Sequence, residues 1–115
     1  MEENVKIDRI IQESVPGKQI TLAHIIAAPI QAVYDSLGVE DSGAIGILAI
    51  TPYETSIIAA DLAGKAAGVD ICFVDRFTGS LMFSGDVQSV ETALQRILDF
   101  FKENLGFSVV SLTKS

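Results

Sequence analysis

Residues 43–85 leave this chain little choice of fold. They read GAIGILAI, then TPYETSIIAADLAGKAAGV, then DICFVDRFTGSLMFSG. The first part is almost unbroken in its apolarity, the pattern of a strand covered on both faces or lying mid-sheet. Thr51-Pro52-Tyr53-Glu54 reads as a helix start: Thr51 as cap, Pro52 at the first helical position, Glu54 closing a capping box. The helix that follows carries Ala59, Ala60, Ala63, Gly64, Ala66 and Ala67, so it presents little bulk and can lie close to its neighbours, and Gly68 is placed to stop it. Two strands, Val69–Asp75 and 81–85, then flank Arg76-Phe77-Thr78-Gly79-Ser80, a hairpin connection with a turn glycine. The β-α-β-β unit shows little reactive chemistry.

On either side the pattern continues. Residues 5–15 fit two readings: Val5, Ile7, Arg9 and Ile11 alternate like a strand, whereas Ile7, Ile10 and Ile11 fit a helical stripe. Pro16-Gly17 ends the segment in both cases. Residues 20–27 are β-branched and apolar, a strand. Pro29 opens a short helix with Ile30, Val33, Tyr34 and Leu37 on one side, and Gly38 ends it. After the hairpin, Asp86 caps a long helix in which Val90, Ala93, Leu94, Ile97, Leu98, Phe101 and Leu105 fall at helical spacing; Gly106 ends it. Residues 107–113 alternate as a last strand. The plan is α+β, with helices on one face of a largely antiparallel sheet.

At 115 residues, the chain is one domain that buries roughly two-thirds of its unfolded surface. It is 49% hydrophobic, with a mean hydropathy of +0.41. That is high for a small soluble monomer and points to a very apolar core or to surface hidden by self-association. A net charge of −7 disfavours nucleic acid, which calls for a basic surface. The single cysteine, Cys72, precludes an internal disulfide and suits a reducing compartment. No stretch is long and apolar enough to be read as a membrane span. The acidic start MEENVKIDR lacks the order of a secretion signal, so it is expected to be retained.

No catalytic set emerges. Gly64-Lys65 lacks the upstream glycine of a phosphate loop and falls inside a helix. Gly43-Ala44-Ile45-Gly46 has the letters of a nucleotide-clamping loop but reads as strand. His24, the one histidine, alternates with Leu22 and Ile26 and reads as a buried, hydrogen-bonded side chain rather than a ligand or general base. Cys72, between Ile71 and Phe73, reads as a buried inert thiol. Asp70 and Asp75 are an odd number of residues apart, hence expected on opposite faces of one strand. Asp61 is expected to face solvent. Lys65 reads as a solvated lysine favoured by the helix dipole, or as an arm reaching across an interface. Thr78-Gly79-Ser80 is an ordinary turn unless symmetry gathers several copies around an axis.

Several segments are recognisable: RIIQESVPGKQITLAHIIA (9–27), GAIGILAITP (43–52), IIAADLAGKAAGV (57–69), DRFTGSL (75–81), SGDVQSVETAL (84–94) and the ending SLTKS. Through them the chain resembles, over nearly its whole length, the bacterial microcompartment (BMC) shell proteins of the circularly permuted EutS/PduU type. The resemblance implies a ferredoxin-like α/β sandwich over 18–115, permuted so that the AHII strand lies N-terminal. It also implies an extension, 1–17, in which Arg9, Ile10, Ile11, Gln12 and Glu13 supply one strand to a six-stranded barrel between subunits. That decides the ambiguity of 5–15 in favour of a strand.

The implied role is structural: a homohexameric tile, without enzyme activity or cofactor, packed against other shell proteins around a cytoplasmic metabolosome. Encapsulated enzymes or their targeting peptides are further implied partners. Lys65 matches the family's edge lysine, Thr78, Gly79 and Ser80 its axis-lining loop, and His24 the histidine of its HVIPRP-like strand. The edge arginine of that motif falls at Ala28 here, a departure that weakens the implied tile-to-tile contact. The SGAIG opening leans toward the ethanolamine (EutS-like) subtype, SIIA and FTG toward the 1,2-propanediol (PduU-like) one; the ethanolamine reading is preferred. Gly43 permits unusual backbone angles and is a candidate bend in the subunit. Two other readings compete: a small-molecule-binding regulatory oligomer and, more remotely, an enzyme built on His24.

Overall fold

The computed structural model describes residues 17–66 and 68–115. Arg9, Ile10, Ile11, Gln12 and Glu13 lie outside the described residues, as does nearly all of the 1–17 extension.

Among the described residues, six strands and three α-helices follow in the order β1 (Gln19–Ala27), α1 (Gln31–Leu37), β2 (Ala44–Thr51), α2 (Ser56–Lys65), β3 (Val69–Asp75), β4 (Ser80–Gly85), α3 (Val87–Leu105), β5 (Ser108–Val109) and β6 (Thr113–Lys114). The sheet runs β3-β4-β2-β1-β5, with β6 also on β1. The β1/β2, β2/β4 and β3/β4 pairs are antiparallel; β5 and β6 join β1 in parallel. The apolar run of β2 is explained by its central place, with a neighbour on each side. One face of the sheet supplies Ile20, Ala23, Ile25, Leu48, Ile50, Leu81 and Phe83 to the core, closed by Ala59 and Ala63 of α2 and by Val90, Leu94, Ile97 and Phe101 of α3.

The predicted α3 is the most accurate element. Asp86 is its N-cap, accepting a hydrogen bond from the Ser89 N–H at 2.9 Å and from the Ser89 hydroxyl at 2.8 Å, and Gly106 ends it in the left-handed region. Those bonds, the Ser89 N–H first, hold the Asp86 carboxyl below its ordinary range. Because its folded pKa is depressed, its contribution to stability is full above the ordinary carboxylate pKa and is lost as pH falls through the folded value. Asp86→Ala is therefore expected to lower the melting temperature at pH 7, while wild type and variant converge in strong acid; thermal melts across pH 2–7 check it (about these limits, from the ordinary range of carboxylate titration).

Four expectations are corrected. Thr51 does not cap a helix: β2 extends to it because Thr51 pairs with Gln19, and a 3-10 turn, Tyr53–Thr55, intervenes before α2 begins at Ser56. At the other end, α2 stops at Lys65, with Ala66 extended, before reaching Gly68. The last strand is not continuous. Val109 and Leu112 both pack on the core, yet their odd separation would put them on opposite faces of a straight strand, so the chain bends between two short bridges. Finally, α1 forms where predicted and ends at Gly38, but of its expected apolar side Tyr34 alone is buried, Ile30 and Leu37 being exposed.

Two bulges change which residues share a face. In β1 the register shifts between Ile20 and Leu22, so Ile20 joins Ala23 and Ile25 on the core face while Leu22, His24 and Ile26 take the other. In β3 it shifts between Ile71 and Phe73, around Cys72. Asp70 then lies opposite Ser84 and Asp75 opposite Ser80, both on one face, against the expectation from parity. They stand at the two ends of the strand, too far apart to act as a carboxylate pair. β3 is an edge strand, so Cys72 is half-buried rather than buried and Phe73 and Val74 are exposed.

Candidate assembly surfaces

The hairpin tip is held by its own backbone. The Asp75 carboxylate accepts the Phe77 N–H at 2.8 Å, which holds its pKa below the usual range, and the Asp75 carbonyl accepts the Gly79 N–H at 2.8 Å. The Ile50 N–H in turn donates to the Gly79 carbonyl at 2.9 Å, tying the loop to the end of β2. Gly79 is buried with φ of +77°; a Cβ there would sit 2.1 Å from the Ile50 carbonyl oxygen. Thr78, exposed, donates to the Ser80 hydroxyl at 3.1 Å. Of the three residues picked out in sequence, then, Thr78 presents the most side chain. The sequence reading passed over Arg76 and Phe77, the most prominent group at the tip: Phe77 is 73% exposed, and the Arg76 guanidinium lies 4.9 Å from its ring centroid. An aromatic residue beside a cation inside a predicted turn was the available signal.

Lys65 ends α2 with its side chain largely in solvent and pairs with Asp61 one turn earlier at 2.8 Å. Such an exposed pair contributes little to folding and leaves the lysine free to exchange partners. The buried face of α2 is made of Ser56, Ala59 and Ala63, whereas Ile57 and Ile58 point outward and are about half exposed. On the sheet face opposite the helices, Leu22 and Phe73 are similarly open. The protomer thus displays large apolar side chains on a helix, a sheet face and a hairpin tip.

His24 lies on that open face, half-buried, and both ring nitrogens are engaged: Nδ1 with the Thr113 hydroxyl at 2.6 Å and Nε2 with the Ser115 hydroxyl at 2.8 Å. Thr113 donates to the Ala23 carbonyl at 3.3 Å, so it can only accept from the imidazole. This network places a proton on Nδ1, while the Ser115 hydroxyl can pair with Nε2 in either direction. The histidine pins the C-terminal segment to β1; it is hydrogen-bonded as expected but half-buried rather than buried, because it lies on the sheet face the helices leave uncovered. Among the described residues, no three His, Cys, Asp or Glu side chains gather in a group that could hold a metal ion.

The corner between β1 and β2 joins two unusual residues. Gly43 has φ of +112° and Ala28, a rare position for a residue with a Cβ, has +51°. They face each other through the Ala28 N–H, which donates to the Gly43 carbonyl at 2.8 Å. Tyr34 anchors the segment between them with a fully buried ring.

The described residues thus present an open sheet edge and large apolar side chains turned outward. The chain belongs to the bacterial microcompartment (BMC) domain family, whose model matches residues 44–112. The match starts at β2 and leaves out β1, although β1 sits mid-sheet, which is the arrangement a circular permutation produces. Over its full length the chain is 74% identical to the bacterial microcompartment shell protein CutR of Streptococcus intermedius, covering 99% of that protein. It is 53% identical to the shell protein EutS of Salmonella typhimurium over 94% of this chain and 97% of the relative. With the shell protein PduU of the same organism, identity is 49% over 100% of both. These relatives are shell proteins, not enzymes.

Among solved structures, a CutR flat hexamer (74% identity, 94% of this chain, 99% of that one) and a CutR screw of 41.9 Å pitch (72%, 87% and 100%) both superpose with a TM-score of 0.85. A CutR dimer with domain swap, at 72% identity over 86% of this chain and 100% of that one, superposes with 0.67.

Proposed function

We propose that this chain is a structural tile of a microcompartment shell, working as a homohexamer packed against other shell proteins. The observation that carries the reading is the set of large apolar side chains left open on the protomer, Ile57 and Ile58 on α2, Phe73 on β3 and Phe77 at the hairpin tip. Ile57, Val74 and Phe77 line one shared depression, and contiguous exposed apolar surface of that kind marks an interaction site. Its family and the hexameric form of a relative three-quarters identical to it support the same conclusion. Light scattering tests it: a mass of six chains is expected, and a stable monomer across the concentration range would overturn it.

Within the tile, Lys65 is the proposed contact to a neighbouring hexamer, its exposed position at the end of α2 giving it the reach. Lys65→Ala is expected to leave the hexamer intact, to change the melting temperature little, and to reduce two-dimensional sheet formation severalfold in negative-stain images. Unchanged sheets would remove the edge role. Thr78, with Arg76 and Phe77 beside it, is the proposed lining of the sixfold axis; Gly79 shapes the loop and Ser80 braces it. Arg9, Ile10, Ile11, Gln12 and Glu13 are proposed as the barrel strand over that axis. Gly43, already at a backbone angle few other residues adopt, is the proposed bend point between a flat and a non-flat assembly.

The shell's contents follow less from the residues. The ethanolamine reading rested on the 43–46 region, yet identity is higher to the CutR relative than to EutS or PduU. We infer a CutR-type shell, with ethanolamine and 1,2-propanediol metabolosomes as the alternatives. Genes adjoining this one decide: ethanolamine ammonia-lyase or diol dehydratase subunits would restore one of the latter.

A further inference from the structure

We propose that a small depression on the sheet face opposite α2 and α3 binds the ammonium group of a small primary amine. Glu40, Asp70 and Ser84 accept its N–H donors. The inference goes beyond the tile reading and does not depend on it.

The depression encloses about 250 Å³ between the loop that follows α1, the start of β3 and the end of β4. Alternation along β4 places it. Leu81 and Phe83 enter the core under the helices, so Ser84 turns to the other face, with Asp70 directly opposite it on β3. The loop after α1 crosses this end of the sheet and adds Glu40. Three oxygen-bearing side chains from three separate segments therefore line one space.

Ser84 marks that space as a site. It is 6% exposed, yet its hydroxyl has no hydrogen-bond partner among the described residues. Burying a hydroxyl without a partner is costly. Among those residues, the fully enclosed side-chain oxygens that lack a partner belong to Tyr34 and Thr51. The Ser84 oxygen therefore keeps an opening, and the depression it lines is that opening. Asp70 stands directly across the ladder, where opposed side chains come within reach of one another, yet the two make no hydrogen bond.

Charge selects the ligand. Neither Glu40 nor Asp70 has an ion-pair partner among the described residues, and no lysine or arginine lines the depression. Two uncompensated carboxylates beside a hydroxyl attract a cation and repel an anion. A bare metal ion is the wrong occupant, because among the described residues no three His, Cys, Asp or Glu side chains gather closely enough to ligate one. A primary ammonium carries three N–H donors that bond at about 2.7–2.9 Å, against roughly 2.0–2.6 Å for metal ligation, so it reaches more widely spaced oxygens. Val39 and Ile71 give its carbon chain an apolar wall. A volume below the usual ligand-pocket range of about 300–1,000 Å³ limits that chain to a few carbons.

Cys72, the one cysteine of the chain, lines the same depression and reports on its occupancy. The probe is propylammonium chloride, titrated against the full-length protein while the reaction of Cys72 with an aromatic disulfide reagent is timed. A ligand that buries most of its surface there is expected to slow the reaction saturably, by roughly fivefold or more. Neither 1-propanol nor sodium chloride at equal ionic strength should do so. Ser84→Ala should raise the half-protecting concentration about tenfold, as loss of a charge-assisted hydrogen bond does. Asp70→Asn combined with Glu40→Gln should abolish the protection. Titration calorimetry on the same proteins reads binding independently of the thiol, and thermal melts show that each variant is folded. Propylammonium that neither protects Cys72 nor gives a saturable heat would overturn the site. So would undiminished binding by the Asp70→Asn, Glu40→Gln double variant, which alters two exposed side chains and does not touch the core.

Discussion

Gly79→Ala should cost this protein roughly 2–4 kcal/mol, the sum of a side chain forced to positive φ and of a strained or broken hydrogen bond to Ile50. The added Cβ would lie 2.1 Å from the Ile50 carbonyl oxygen and 2.9 Å from the Tyr53 ring; the half-exposed ring can swing aside, but the strand backbone cannot give way without moving the loop. The melting temperature should fall by roughly 10–20 °C at fixed protein concentration, as expected for a domain of this size. Ser80→Ala, one residue on, should stay within about 0.5 kcal/mol and serves as the control for any change at the hairpin. A Gly79→Ala protein as stable as the wild type would mean that the loop is not fastened to β2 as described.

Phe101→Ala should be the more damaging substitution, at roughly 3–5 kcal/mol, because it combines lost apolar burial with a cavity under the helix layer. Phe101 is fully enclosed, stands edge-on to Phe107 with ring centroids 4.9 Å apart and to Phe100 at 6.1 Å, and its carbonyl accepts the Phe107 N–H at 3.0 Å. It therefore ties the end of α3 to the C-terminal segment that bridges onto β1. Against a total stability of about 5–15 kcal/mol for a domain, such a loss removes a large share. Urea titration with the Phe101→Leu variant alongside measures it. A loss under about 1 kcal/mol would show that the surrounding side chains collapse into the space.

Much of the fold is written locally. Asp86 three residues before Ser89 is a cap wherever the chain is placed, and Gly38 and Gly106 end helices because they adopt left-handed angles without strain. The stripe of α3 reflects burial on one face, and the unbroken apolar run of β2 reflects its place mid-sheet, one of the two readings its sequence allowed. The site is another matter. Lys65 and the 78–80 loop were singled out through resemblance to a family, since a terminal helix lysine and a turn look ordinary in a single sequence. Phe77 was missed because one exposed aromatic residue carries no period.

Parity failed at two positions for one reason. Alternation in a strand is a local rule, but a bulge is set by the pairing with a distant strand, so neither the turn of Ile20 onto the core face nor the sharing of a face by Asp70 and Asp75 could be read along the chain. The same holds for Thr51, which is an adequate helix cap in isolation and a strand residue once Gln19 lies opposite it. The sequence by itself determined the order and type of the principal elements and the glycine ends of α1 and α3, because these depend on neighbours within a few residues. The tertiary structure decided which faces remain open, how the C-terminal segment is pinned to β1 by His24, and that Ala28 and Gly43 meet at the corner between β1 and β2. Those features depend on which distant parts of the chain come to lie side by side.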